Sequence, residues 1–268
     1  MNKNTFIFVL LVQALTFSID YPQFEILVNN NPYQEDIFIN SSAQGHQFMA
    51  ILSPELEVKW YITDINDKGW DFKVNNNQML TYFQKPSNNV AAGKWYVMDK
   101  NMREVDTLEC INGYKADNHD IYYLNDGGYI LQAYSMEEAD VIETAEIDTA
   151  KILILQEFDS NHNLVSQWKN SDHMNIQDYT NELNLNANYL NWTHGNSIEV
   201  DYDNNIIISN RAMSEVIKID RNSGNIIWRL GGPMNDFTFI NDTYNGPSKQ
   251  HDARRLENGN ILIFDKFK

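Results

Sequence analysis

A repeat of two alternating hairpin patterns most constrains the fold of this 268-residue chain. The first pattern is a short apolar strand, a polar turn containing Asn or Gly, and a second apolar strand. Asn and Gly supply the positive φ values that tight hairpins require. Four copies of this pattern begin at Trp70, His119, Asn196 and His251. Self-similarity of this kind is the sequence signature of a repeat architecture.

The second pattern is an apolar strand that ends in Asp or a similar turn former, followed by a strand that often finishes in Trp. It covers residues 48–60, 95–108, 152–168 and 216–228. Two hairpins make a four-stranded blade, and strand repeats of about 45 to 60 residues indicate a β-propeller. We therefore predict an all-β fold of the propeller type. A β-sandwich stays open as the alternative, since it also consists of short strands joined by turns.

The N terminus has the layout of a secretory signal peptide. Lys3 precedes an apolar run over residues 5–17, and polar sequence follows Ser18. The run is too short for a membrane anchor, and a buried N-terminal helix is the alternative reading. We predict a signal peptide at 1–18, an N-terminal segment at 19–45 and a propeller domain at 46–268. The mature protein is then periplasmic or secreted, with no membrane insertion after signal cleavage.

Composition restricts the chemistry. The chain has 37 acidic and 20 basic residues and a net charge of -17, which is the wrong sign for nucleic acid or for an anionic membrane. Any anionic substrate must therefore be held by a local cluster of cations. The single cysteine, Cys110, excludes an intrachain disulfide framework and a Cys-based zinc site. The chemistry must come from His, Arg, Lys and carboxylates.

Three polar residues occupy one position of the repeat. Alignment of the hairpins on their turns places His119, Asn196 and His251 in register. His194 precedes Asn196 by two residues, so both side chains point to the same side of an extended strand. In a propeller this position lies on the inner strands near the central channel, where side chains distant in sequence converge.

A second matched position lies on the following strand. It carries Tyr134, Arg211 and Lys266, and it also belongs to the inner part of a blade. The remaining histidines share no such register: His46, His162 and His173.

A cluster of His, Asn and Arg suits a tetrahedral oxyanion such as sulfate or phosphate, because the guanidinium of Arg and the imidazolium of His both offer N–H donors. A neutral His can also be a nucleophile, while other groups stabilise developing charge and protonate a leaving oxygen. A tri-His metal site is the competing chemistry, but the fixed charge of Arg211 disfavours a dication beside it. A non-catalytic propeller that binds an anion or a carbohydrate is a further alternative. We predict no metal.

Five ordered motifs carry a resemblance to a known family. They are HGNS at 194–197, SNR at 209–211, IIWRLGG at 226–232, QHDA at 250–253 and NGNILIFD at 258–265. Together they resemble the arylsulfate sulfotransferases of bacteria, over most of the chain. The resemblance implies an exported, six-bladed propeller that moves a sulfuryl group from a phenolic sulfate ester to an acceptor phenol. It implies neither a nucleotide sulfate donor (PAPS) nor any cofactor.

The resemblance also implies roles. His251 matches the histidine that attacks sulfur and is transiently sulfated. His194, Asn196 and Arg211 match the groups that hold the sulfate oxygens, and His119 matches the further histidine of that site. The expected partners are a small aryl sulfate and a phenol, and association of identical chains stays open. A six-bladed ring needs on the order of 100 residues beyond the fourth hairpin copy. We therefore expect a C-terminally truncated chain with about four blades.

Overall fold

A computed structural model describes residues 19–28, 30–32, 34–43, 45–63, 69–85, 92–141 and 148–266. The signal peptide predicted at 1–18 lies outside the described residues. Strands make up about half of the described chain, and the two helices are short.

The first nine strands are β1 (Ile37–Ala43), β2 (His46–Leu52), β3 (Val58–Thr63), β4 (Trp70–Val74), β5 (Leu80–Gln84), β6 (Ala92–Met98), β7 (Glu104–Leu108), β8 (Ala116–Tyr123) and β9 (Tyr129–Ala139). Next come β10 (Asp148–Phe158), β11 (Leu164–Lys169), the α-helix α1 (Asn170–His173) and a 3₁₀ helix (Ile176–Glu182). The chain continues with β12 (Gly195–Val200), β13 (Ile206–Asn210), β14 (Glu215–Ile219), β15 (Ile226–Gly231), β16 (His251–Arg255) and β17 (Ile261–Phe264). Every hairpin predicted from the two repeat patterns is a pair of these strands.

Within each blade, consecutive strands pair antiparallel. Strands β1 to β3 form a three-stranded sheet, β12 to β15 form a four-stranded meander, and β16 pairs with β17. The meanders β4 to β7 and β8 to β11 belong to one eight-stranded sheet, because β6 also pairs with the start of β8. The first strands of successive blades are neighbours, because β8 contacts both β4 and β12, and β12 contacts β16. A sandwich would instead pack two sheets face to face. The prediction of an all-β propeller is confirmed, and the six-bladed ring stays a prediction.

The first sheet begins earlier than residue 46. Strand β1 pairs with β2 along its whole length, from Ile37 opposite Leu52 to Ala43 opposite His46. Part of the segment 19–45 is therefore a strand of the sheet that contains β2.

The middle strands of the blades are buried on both faces. All five residues of β13 and all five of β14 are buried, and both strands are rich in Ile and Val. A short continuous apolar run, rather than an alternating one, is typical of a strand covered on both sides. Neighbouring blades provide that cover, so the core runs between the sheets.

The first strands of the blades share an irregularity in their pairing. Pairing registers shift within β4, β8, β12 and β16. Asp71 in β4 and Asp252 in β16 adopt positive φ angles of 47° and 55°. Bulges of this kind bend a strand and redirect its side chains. His119, Asn196 and Asp252 lie within these shifts, so the irregular backbone determines where the site residues point.

Two segments without strands precede the last two inner strands. Residues 170–191 hold the short helices and residues 232–249 are turns and bends. Among the described residues, no helix combines the length and the apolar composition that a bilayer crossing requires.

Candidate active site

Three histidines from successive blades meet at the inner strands. His119 lies in β8, His194 directly precedes β12 and His251 begins β16. The Nε2 atoms of His119 and His194 are 3.2 Å apart, and their ring centroids are 4.8 Å apart. The ring centroids of His194 and His251 are separated by 6.4 Å. Side chains more than 130 residues apart in sequence therefore share one site, as the repeat register predicts.

A buried carboxylate orients His119. Its Nδ1 lies 2.5 Å from Oδ1 of Asp117, whose side chain is 2% exposed. The same Oδ1 accepts hydrogen bonds from the His119 backbone N–H, at 3.1 Å, and from Nε2 of Gln132, at 3.0 Å. An ionised carboxylate only accepts, so Nδ1 of His119 carries a proton and donates a hydrogen bond to Asp117. Nε2 is left facing the site.

The backbone holds His194 firmly. Its N–H donates to Oδ1 of Asn210 at 2.8 Å, and its carbonyl accepts from the N–H of Arg211 at 2.9 Å. The next residue, Gly195, is tightly packed, because a Cβ there would lie 2.6 Å from Oε1 of Gln132 and 3.1 Å from Cδ1 of Leu153, and these side chains would have to shift. The sequence His-Gly-Asn therefore reflects close packing of β12 against the preceding blade.

His194 is neutral at ordinary pH. Burial lowers the pKa of His194 to about 3, and the charges of His119 and Lys151 contribute. Arg211 acts in the same direction, whereas Asp117 opposes the shift. A neutral imidazole has one N–H donor and one acceptor nitrogen. A neutral His194 can therefore offer a hydrogen bond, and not a full positive charge, to an anion.

His251 has the protonation pattern of a nucleophile. Its Nδ1 donates to the carbonyl of Lys249 at 3.2 Å, so the lone pair of a neutral ring lies on Nε2. Burial lowers the pKa of His251 against the opposing effect of that hydrogen bond. The charges of His119, Arg211 and Lys266 lower it further. The neutral form, which alone can attack an electrophile, is thereby favoured.

Asn196 forms hydrogen bonds with the backbone on both sides of His251. Its Nδ2 donates to the carbonyl of Gln250 at 2.9 Å, and its Oδ1 accepts from the N–H of Asp252 at 3.2 Å. Gln250 is fully buried, and its Nε2 donates to the carbonyl of Glu215 at 2.9 Å. The resemblance assigns Asn196 to the sulfate oxygens, whereas both ends of its amide are engaged in placing His251.

Three cations surround the histidines. Arg211 follows β13, and among the described residues its guanidinium has no hydrogen-bond or ion-pair partner. Lys151 lies with Nζ 3.6 Å from the ring centroid of Tyr134, and burial lowers the pKa of Lys151. The hydroxyl of Tyr134 donates to the carbonyl of Gly195 at 2.9 Å. Lys266 is close enough to His251 to influence its pKa. A local positive patch thus exists in a chain of net charge -17.

A network of ion pairs lies beside the site and joins three inner strands. The fully buried Asp120 pairs with Lys73, and its Oδ2 lies 2.9 Å from Nη2 of Arg254. Burial would raise the pKa of Asp120, but both cations hold it below its usual range. The backbone N–H of Ile198 also donates to Asp120 at 2.7 Å. The ion pairs hold β4, β8 and β16 together, and the hydrogen bond from Ile198 adds β12.

The other histidines described lie elsewhere. His162, in the turn between β10 and β11, contacts Asp106 at 3.2 Å, and His173 stacks on Trp168 with ring centroids 5.7 Å apart. Within the described ranges, no group of three or more His, Cys, Asp or Glu side chains is arranged to hold a metal ion.

The repeat register misses four residues of the site: Asp117, Gln132, Lys151 and Gln250. Asp117 has a local signal, because it stands two residues before His119 in the same inner strand. Gln250 directly precedes His251 within a quoted motif. Gln132 and Lys151 show no pattern in the sequence, since they reach the site from β9 and β10 of a neighbouring blade.

The family model named Arylsulfotransferase (ASST) matches residues 26–266. The chain belongs to the arylsulfotransferase family. A comparison with curated protein sequences found no significant match. The family match spans the three histidines, Asn196 and Arg211.

Several solved structures are similar in fold. A Bacteroides caccae protein of unknown function aligns with a TM-score of 0.48 and 11% identity, over 81% of this chain and 60% of that one. The glutaminyl cyclase of Myxococcus xanthus aligns with a TM-score of 0.45 and 12% identity, over 87% and 82%. A catalytically inactive virginiamycin B lyase of Staphylococcus aureus, with quinupristin, aligns at 0.43 and 9%, over 86% and 64%. The chain therefore spans less than two thirds of the first and third of these proteins.

Proposed function

We propose that this arylsulfotransferase-family protein moves a sulfuryl group from a phenolic sulfate ester to an acceptor phenol, through a sulfohistidine at His251. The observation that carries the proposal is the hydrogen bond from Nδ1 of His251 to the carbonyl of Lys249. It directs the lone pair of Nε2 into a cluster of two further histidines and Arg211. No nucleotide sulfate donor, metal or cofactor is required by this scheme.

The reaction has two halves. First, Nε2 of His251 attacks sulfur, and the bond from sulfur to the aryl oxygen breaks with its electron pair going to oxygen. The product phenol leaves, and the sulfuryl group stays on nitrogen. Then the oxygen of an acceptor phenol attacks sulfur, the S–N bond breaks, and His251 is regenerated. A covalent intermediate of this kind divides one difficult displacement into two easier ones.

The surrounding groups stabilise the transferred group. Arg211, without a competing partner among the described residues, offers a planar set of donors to the sulfate oxygens. His194 supplies a neutral N–H donor, because its low pKa keeps it uncharged. Preorganised donors of this type stabilise charge that develops in the transition state. Asn196 contributes by holding the backbone on both sides of the nucleophile.

The test is sulfuryl transfer from a chromogenic aryl sulfate to phenol, comparing wild type with His251→Asn. We expect transfer and a mass increase of one sulfuryl group on a peptide containing His251, and loss of both in the variant. His162→Asn, in an exposed hairpin, is the matched control and should be fully active. Without phenol we expect at most one equivalent of product per active site, so continued turnover in the absence of phenol, or full activity of His251→Asn, would contradict the mechanism. Loss of activity on chelation, restored by zinc, would favour a metal hydrolase instead.

We also propose that the protein is exported. The layout of residues 1–18 supports this. Expression with the native N terminus, followed by N-terminal sequencing of the periplasmic or secreted product, should give a chain that starts near Ile19. A product that keeps Met1 and remains in the cytoplasm would contradict it.

A further inference from the structure

We infer that Asp117 is a positioning residue that makes His119 the proton donor to the leaving phenol oxygen. This inference rests on the sulfuryl transfer proposed above. Its structural basis is the contact of 2.5 Å between Asp117 Oδ1 and His119 Nδ1. Neither the repeat register nor the quoted motifs assign Asp117 to the site.

Burial and hydrogen bonds hold Asp117 in position for this contact. The side chain is 2% exposed, and its Oδ1 accepts three hydrogen bonds, from the ring and backbone of His119 and from Gln132. The backbone carbonyl of Asp117 accepts from Nε1 of Trp95 at 3.2 Å. Both the carboxylate and the main chain of Asp117 are therefore held in place, and the fixed carboxylate in turn fixes the orientation of the His119 ring.

The contact defines which nitrogen of His119 faces the substrate. Because Asp117 accepts the Nδ1 proton, Nε2 is the nitrogen that exchanges protons with the site. In a catalytic triad, a buried carboxylate at one ring nitrogen supports the histidine while its other nitrogen gains or loses a proton, and the contact between Asp117 and Nδ1 of His119 has this arrangement. His194 cannot serve in the same way, because the environment that lowers its pKa keeps it neutral.

The proton balance closes within the site. When His251 attacks sulfur and the S–O bond breaks, the proton on Nε2 of His119 passes to the phenolate oxygen, so neutral phenol leaves. His119 becomes neutral and keeps its Nδ1 proton on Asp117. In the second half, the acceptor phenol gives its proton to Nε2 of His119 as its oxygen attacks sulfur. No external acid, base or co-reactant is consumed.

The experiment compares wild type with Asp117→Asn for donors whose phenols differ in basicity, using kcat/KM for the donor, which reports the first half-reaction. For phenyl sulfate, whose leaving oxygen needs a proton, we expect a loss of about 100- to 10,000-fold, the usual range for acid–base catalysis. For 4-nitrophenyl sulfate, whose leaving phenolate is stable, we expect a loss of about tenfold or less. Asp106→Asn, which removes an Asp–His contact at His162 outside the site, is the matched control.

The outcomes separate positioning from simple support of the fold. An equal loss for both donors, or no loss in Asp117→Asn, overturns the inference. The double variant with His119→Asn should be no slower than the worse single variant, because Asp117 acts through His119. Additive losses would also overturn it.

A measurement without turnover distinguishes failure of this inference from failure of the proposed function. In wild-type protein, NMR of labelled histidine should show a strongly downfield Nδ1 proton on His119, which shifts upfield or vanishes in Asp117→Asn. If wild type transfers no sulfuryl group, the proposed function fails, while the NMR result still decides whether Asp117 fixes the protonated nitrogen. Absence of an Nδ1 proton on His119 in wild type overturns the inference.

Discussion

The neutral state of His194 makes the stability of the fold depend on pH. In the unfolded chain a histidine has a pKa near 6.5, whereas burial and neighbouring charges lower the pKa of His194 to about 3 in the folded protein. Between these two pH values His194 binds a proton in the unfolded chain but stays neutral in the folded protein. The stability associated with His194 is therefore complete above pH 6.5 and is lost as the pH falls from 6.5 towards 3.

The size of the effect follows from the two pKa values. Between pH 7 and pH 5, linkage predicts a loss of about 2 kcal/mol in the free energy of unfolding. His194 is partly exposed, and solvent screening reduces the expected loss to ~1–2 kcal/mol. His194→Gln removes the titrating group, so the variant should lose that much less stability than wild type over the same interval.

The assay is urea unfolding of wild type and His194→Gln at pH 7 and pH 5. Carboxylates contribute equally to both proteins, so the difference between their pH dependences isolates His194. His162→Gln controls for the loss of a histidine from an exposed turn and should follow the wild-type curve. If His194→Gln declines as steeply as wild type from pH 7 to pH 5, the assignment of a neutral, buried His194 is wrong.

Three further predictions follow from other contacts. Asn196→Ala removes the hydrogen bonds to the Gln250 carbonyl and the Asp252 N–H; it should cost about 1–3 kcal/mol in urea unfolding and reduce kcat for sulfuryl transfer, and a wild-type kcat would show that these two hydrogen bonds do not position His251. Asp120→Ala removes the fully buried carboxylate shared by Lys73 and Arg254 and should cost about 3–5 kcal/mol, measured by the same method; a wild-type midpoint would show that the network is dispensable. Burial raises the pKa of the Cys110 thiol to about 12, so alkylation by iodoacetamide at pH 8 should be slow until urea unfolds the protein; rapid labelling of native protein would contradict its burial.

The strands and the meeting of the histidines are predictable from sequence because their determinants are local. Alternating and continuous apolar runs mark the strands, and Asn or Gly marks the turns. Equivalent positions in repeated blades face the same axis, so the register of His119, Asn196 and His251 is enough to predict that they converge. The hairpin patterns are found in the structure without exception among the described strands.

The function of Asn196 is not predictable in this way. Its partners are the backbone groups next to His251, which lie 54 and 56 residues away. A backbone amide or carbonyl carries no sequence signal, because every residue except proline has both groups. The contacts of Gln132 are equally unpredictable from the sequence. Its side chain in β9 donates to Asp117 in the neighbouring strand β8 and to the Gly195 carbonyl in the next blade.

By itself, the amino-acid sequence determined an all-β repeat, the hairpins that compose it, and the meeting of His119, His194 and His251 at the inner strands. Only the tertiary structure decided how these groups are protonated and aimed. The bulges in β8, β12 and β16 orient the site residues, and the Asp117 carboxylate and the Lys249 carbonyl select the proton-bearing nitrogen of His119 and His251. The reason is physical: strand patterns depend on neighbours in sequence, whereas pKa and hydrogen-bond direction depend on burial and charge that only packed blades create.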